Sequence, residues 1–103
     1  MDIYQTKLYK KWFLKLRDEK AKTIINTRLK EIEFYGNLGD YKMITENVSE
    51  LRFDYGPGYR IYITIKNLII VILLLGGDKD SQIRDIKKAE KLASGIHWED
   101  FGK

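Results

Sequence analysis

Residues 50–88, ELRFDYGPGYRIYITIKNLIIVILLLGGDKDSQIRDIKK, decide how this chain is organised. They read as a tight hairpin, then a fully buried strand, then a glycine break that opens into a cationic helix. On the first strand Leu51, Phe53 and Tyr55 alternate with Arg52 and Asp54. On the second, Tyr59, Ile61 and Ile63 alternate with Arg60, Tyr62 and Thr64. Strand side chains alternate between faces, and directly paired residues share a face. A loop of Gly56-Pro57-Gly58 therefore predicts the pairs Tyr55–Tyr59, Phe53–Ile61 and Leu51–Ile63 on one face. The other face then pairs Asp54 with Arg60 and Arg52 with Tyr62. A slip by one residue would set Arg52 beside Ile61 and mix the faces. One side of the sheet is thus apolar. The other carries two arginines and a tyrosine, and a functional site is expected there.

Outward from this stretch the chain punctuates clearly. Residues 2–5 suit a short edge strand. Thr6 is a candidate N-cap for a helix over 6–17, with Leu8, Trp12, Phe13 and Leu16 at helical spacing. Asp18 can cap a second helix over 19–35, whose stripe is Ala21, Ile24, Ile25, Arg28, Leu29, Ile32 and Tyr35, and which Gly36 ends. Strands are expected over 41–45, 48–55, 59–66 and 68–75. The run LIIVILLL lacks polar alternation, as a strand covered on both faces does. Asp80 or Ser81 caps a last helix over 81–94, with Ile83, Ile86, Ala89, Leu92 and Ala93 inward. Residues 96–103 form a polar tail. The order β-α-α-β-β-β-β-α defines an α+β fold of one domain over 1–103. A helical hairpin and a C-terminal helix pack on a mainly antiparallel sheet.

Composition narrows the function classes. With 44% hydrophobic and 33% charged residues, the chain matches a globular domain and not a disordered one. No cysteine is present, which removes disulfides and thiolate metal sites and fits a reducing cytoplasm. The start, MDIYQTKLYKKW, has no apolar signal core. The longest apolar run is far short of the ~20 residues that cross a bilayer. A cytoplasmic protein away from membranes is expected. The net charge of +4 suits a polyanionic partner, and also suits plain solubility. No P-loop, GxGxxG or GxSxG motif occurs. With a single histidine, neither a metal site nor an organic cofactor is implied.

What remains is the cationic sheet face, Arg52 and Arg60 with Tyr62, joined by Lys42 on the preceding strand and Lys79 after the central one. The planar fork of arginine suits phosphate, and tyrosine can stack on a base. A ribonuclease without metal needs little more. The ribose 2′-OH attacks its own 3′-phosphate, cations stabilise charge on the phosphoryl oxygens, and one proton leaves while another arrives. A lysine flanked by cations can accept that proton. Lys79 follows the Gly76-Gly77 break, where backbone can approach a ligand closely. Each residue also has a structural reading: Arg60 paired with Asp54, Arg52 stacked on Tyr62, Lys79 a plain loop lysine. Trp12 and Phe13 read as core. His97 lies in the tail, and Lys87, Lys88 and Lys91 form a solvated helix face.

The segments GNLGDYK at 36–42, ELRFDYGPGYRIYI at 50–63 and LLLGGDKDSQIRDI at 73–86, taken in that order, resemble the short "addiction module killer protein" toxins. These are a HigB-related, phage-derived branch of the RelE/ParE superfamily. The resemblance covers nearly the whole chain. It implies a RelE-like fold and the toxin of a type II toxin–antitoxin system, an mRNA interferase that cuts mRNA on the ribosome and blocks translation. It implies as partners the ribosome, mRNA and a cognate antitoxin of helix-turn-helix type. By this resemblance Arg60 matches the sheet arginine that contacts the scissile phosphate, and Lys79 matches the basic or histidine position after the central strand. Arg52 joins them among the catalytic cations, and Lys42, Tyr62 and Gln82 are expected to bind RNA. The chain differs from RelE at its terminal tyrosine, with Arg84, Asp85 and Ile86 near that position, and it lacks the HigB histidines. The general acid and base stay unassigned. Two alternatives remain open: a ParE-like, non-enzymatic inhibitor of DNA gyrase, and a phage-borne nucleic-acid-binding module.

Overall fold

The computed structural model of the chain describes residues 1–97. Its element order is β1 (Asp2–Gln5), α1 (Lys7–Lys15), α2 (Glu19–Tyr35), β2 (Tyr41–Met43), β3 (Ser49–Arg52), β4 (Arg60–Lys66), β5 (Ile70–Gly77) and α3 (Gln82–Ser94). This is the expected α+β order. The five strands form one sheet in the order β1-β5-β4-β3-β2. All neighbours are antiparallel except β1, which runs parallel to β5 along one edge. The tail expected over 96–103 lies, beyond His97, outside the described residues. Among the described residues no helix is long and apolar enough to cross a membrane.

The sheet is covered on both faces, as the unbroken apolar run of β5 requires. The α1–α2 side buries Tyr9, Ile25, Ile32, Leu51, Phe53, Ile61, Ile63, Val71 and Leu73. The α3 side buries Val48, Tyr62, Ile72, Leu74, Leu75 and Ala89. Helix starts follow their caps. The Thr6 hydroxyl accepts the Tyr9 N–H at 3.1 Å, and the Asp18 carboxylate accepts the Ala21 N–H at 3.1 Å. Gly36 ends α2 at φ 68°, a left-handed conformation that glycine adopts without a Cβ clash.

Two inward positions differ from expectation. In α1 the buried residue is Tyr9, and Leu8 is 38% exposed. The apolar stripe runs Tyr9, Trp12, Phe13, Leu16, an i, i+3, i+4, i+7 set that a tyrosine's mixed character hides. In α3, Ile83 is 78% exposed while Asp85 is buried. The end of the sheet under the first turn of α3 is polar, so that turn meets it with Gln82 and Asp85 instead of an aliphatic side chain.

The hairpin register also differs. The observed pairs are Leu51–Ile61, Glu50–Tyr62 and Arg52–Arg60, two residues away from those expected. The strands part earlier, because the last contact is the Phe53 N–H to the Tyr59 carbonyl at 3.0 Å. Asp54 leaves the strand and joins the loop. A turn there closes by Gly58 N–H to the Tyr55 carbonyl at 3.1 Å. A two-residue shift keeps every side chain on its expected face but changes its partner. Arg60 therefore faces Arg52, not Asp54, and Tyr62 faces Glu50, not Arg52.

A bulge in β5 completes the geometry. Ile63 pairs with Leu73 but Tyr62 pairs with Leu75, so Leu74 is the inserted residue. The insertion reverses which way the end of β5 faces. A Cβ on Gly76 would run into the Trp12 ring, on one face of the sheet. A Cβ on Gly77 would run into the Asp85 carboxylate and lie 2.8 Å from Ser81 Oγ, on the other face. The two glycines thus make room for side chains of this chain, not for a ligand.

The β4–β5 turn carries strain. Asn67 and Leu68 sit at φ 54° and 57°, and the Ile69 N–H reaches the Lys66 carbonyl at 3.0 Å. Leucine is disfavoured at positive φ by roughly 1–2 kcal/mol, and a glycine there gives back part of that gain as unfolded-state entropy. Leu68 is 81% exposed, so its replacement loses little packing. Leu68→Gly is expected to stabilise the domain by about 0.5 kcal/mol in urea titration. A loss of stability would show that Leu68 makes a contact worth more than the strain.

Candidate functional site

At the end of the sheet that α3 leaves open, residues from five parts of the fold line a cleft of about 430 Å³. Arg52 comes from the end of β3, Arg60 from the start of β4, Lys79 from the segment after β5, and Asp54 through Gly58 from the hairpin loop. Asp40, ahead of β2, completes the lining. The three cations named from sequence as catalytic are thus brought to one place.

Behind them lies a residue that the sequence reading passed over. The Glu50 side chain is fully buried. Its Oε1 accepts the Arg52 Nε–H at 3.1 Å and lies 3.8 Å from Arg60 Nε, an ion-pair distance without a hydrogen bond. Its Oε2 accepts from Gln82 Nε2 at 2.7 Å, which ties the first residue of α3 to β3. Like charges placed opposite one another on a sheet repel. The Arg52–Arg60 pair needs this carboxylate between them. The signal was available in the sequence: Glu50 precedes Leu51 at the spacing that puts it on the face of Arg52.

Arg60 is further held by its own loop. Its Nη1 donates to the Gly58 and Tyr59 carbonyls at 3.2 and 3.0 Å. The Lys79 stem packs on the same loop, its Cβ 3.4 Å from where a Cβ on Gly58 would stand. From the other face Arg28 of α2 stacks on Phe53, 4.4 Å from the ring centre, and donates to the Arg52 carbonyl at 2.8 Å. Burial lowers the pKa of Arg28, partly opposed by Asp40. Arg28, read from sequence as one member of a helix stripe, so fixes the backbone that carries Arg52.

Three residues expected to touch RNA are placed otherwise. Tyr62 is fully buried, so it has no free face for a base. Its hydroxyl makes no hydrogen bond of good geometry among the described residues. Burial pushes its pKa upward, and the neighbouring Glu50 and Asp85 add to that. Gln82 is engaged with Glu50. Lys42 is exposed on edge strand β2, opposite Glu50, and does not line the cleft. The aromatic residues that do line it are Phe53 and Tyr55. The Tyr55 hydroxyl donates to Asp18 at 2.9 Å, and that bond raises its pKa. His97 is exposed and lies outside the cleft lining. Among the described residues no group of three His, Asp or Glu side chains is placed to hold a metal ion.

Fold and site together define a small α+β domain with a cleft at one end of its sheet that gathers three cations and two carboxylates. No family model matches the chain. Over 96 residues it is 45% identical to an uncharacterised protein of Haemophilus influenzae, covering 93% of this chain and 96% of that one. The chain belongs to the same family as that protein.

Proposed function

We propose that this protein is the toxin of a type II toxin–antitoxin pair within the RelE/ParE superfamily, and that it acts as an endoribonuclease on ribosome-bound mRNA. One observation carries the reading: Arg52, Arg60 and Lys79, which come from three separate segments, line a single cleft. Three cations around one cleft suit a phosphodiester passing into its transition state. In the proposed reaction the ribose 2′-oxygen forms a bond to the adjacent phosphorus and the bond from phosphorus to the 5′-oxygen breaks. The 2′-proton is lost, the leaving 5′-oxygen gains one, and a 2′,3′-cyclic phosphate remains. Arginine stays protonated at any physiological pH. Of the three cations, Lys79 is therefore the one able to exchange a proton.

A second reading has its own support. The cleft lining includes no histidine, and its tyrosine hydroxyl is bound to Asp18. A cleft that offers neither a histidine nor a free tyrosine hydroxyl for acid–base work favours binding over cutting, as in a ParE-like inhibitor of DNA gyrase. Brief expression without the antitoxin separates the two. The endonuclease reading expects translation to stop before DNA synthesis, with new mRNA ends seen by primer extension. It also expects cleavage by purified protein and ribosomes to leave a 2′,3′-cyclic phosphate or 3′-phosphate and to be blocked by a 2′-deoxy substitution at the cut site. Gyrase-dependent DNA breaks preceding any fall in translation would favour the second reading. No growth defect would favour a nucleic-acid-binding module.

A further inference from the structure

The two arginines of the cleft are not equivalent. Arg52 donates through Nε to Glu50, and its Nη1 and Nη2 make no hydrogen bond among the described residues. Its side chain is 35% exposed. Arg60 has Nη1 on two loop carbonyls and Nε directed at Glu50, and its side chain is only 13% exposed. From this difference we infer that Arg52 is the arginine that grips phosphate, and that Glu50 is the positioning residue that sets its plane. Arg60 is then mainly a positioning residue for the Gly56–Gly58 loop. This deepens the proposed function and rests on reading the cleft as a phosphate site. It reverses the order of the two arginines that the family resemblance implies.

The argument is one of donor geometry. A guanidinium has five N–H groups in a planar fork, and its two terminal nitrogens match two oxygens of a phosphate. The fork works best when another bond already fixes its plane, because less freedom is lost on binding. Glu50 does this for Arg52 from behind, through Nε, and leaves the terminal nitrogens free. Gln82 holds the other oxygen of Glu50 and so keeps the carboxylate from turning. Lys79 adds a point charge from the same loop wall. The loop carbonyls take Arg60 Nη1 and its Nε is buried against Glu50, so Nη2 is its single uncommitted terminal nitrogen and no free two-nitrogen fork faces the cleft.

The test compares Arg52→Lys and Arg60→Lys, which keep charge and remove the fork. The probes are inorganic phosphate and a 2′-O-methylated single-stranded RNA that cannot be cleaved, followed by calorimetry, with melting temperature measured in parallel. Arg52→Lys is expected to weaken binding of both probes by about tenfold or more with little change in melting temperature. Arg60→Lys is expected to lower the melting temperature by several degrees, and to weaken binding by less than Arg52→Lys does. If Arg60→Lys loses the larger share of affinity while staying as stable as the parent, the assignment is overturned. If the parent binds phosphate through Arg52 yet shows neither toxicity nor cleavage, the inference stands and the endonuclease reading falls. If the folded parent binds neither probe, both fall.

Discussion

Lys79→Ala is expected to remove about 100-fold or more of single-turnover cleavage of ribosome-bound mRNA, the range for losing one preorganised charge or one proton-transfer group. Melting temperature should barely move, because Lys79 is exposed and substitutions at such positions change stability by about 0.5 kcal/mol or less. Lys79→Arg separates the two roles. It keeps the charge at the cleft but cannot give up a proton near neutrality. Normal cleavage by Lys79→Arg would limit the lysine to holding phosphate. Loss in both variants would assign it proton transfer. His97→Ala is the comparison, since histidine is the commonest general acid–base side chain but His97 lies outside the cleft lining. A folded, ribosome-bound His97→Ala that cleaves nothing, alongside an active Lys79→Ala, would move the catalytic site away from the cleft.

Glu50→Ala should give the largest loss of stability of any single change at the site, about 3–5 kcal/mol. The carboxylate is fully buried and is the acid next to both Arg52 and Arg60. Its removal leaves two guanidinium groups opposite each other, one of them only 13% exposed, with nothing between them. It also leaves Gln82 Nε2 without its acceptor. A domain of this size shifts by roughly 4–8 °C per kcal/mol, so the melting temperature should fall by about 12 °C or more. Glu46→Ala, at an exposed position in the turn that leads into β3, is the matched control and should change little. A Glu50→Ala variant that melts with the parent would mean that the arginines find another counter-charge, and the account of how the cleft is held would be wrong. Glu50→Gln retains shape and hydrogen-bonding capacity, and should recover part of the loss.

Much of this architecture was legible from local chemistry. Thr6, Asp18 and Gly36 bound their helices because capping depends on neighbours a few residues away. The face to which each residue of 49–52 and 60–66 points followed from period-two alternation. That is why Arg52 and Arg60 could be placed together, and why the later two-residue shift in register left them on one side. The run of β5 announced a strand covered on both faces.

The pairing itself was decided by tertiary structure. Where the strands part depends on how the loop closes between Phe53 and Tyr59, and alternation is blind to a shift of two. The position of Asp54 in the loop, the Arg52–Arg60 pair and the choice of Glu50 as their counter-ion all follow from that closure. The burial of Tyr62 follows instead from α3, which covers it although it shares a face with the arginines. The bulge at Leu74 gave Gly76 and Gly77 their separate uses, against Trp12 and against Asp85. Alternation along one strand specifies which way a side chain points. Only packing against the other elements specifies what it meets there, and at this site that meeting leaves the Arg52 fork free and ties Arg60 to its own loop.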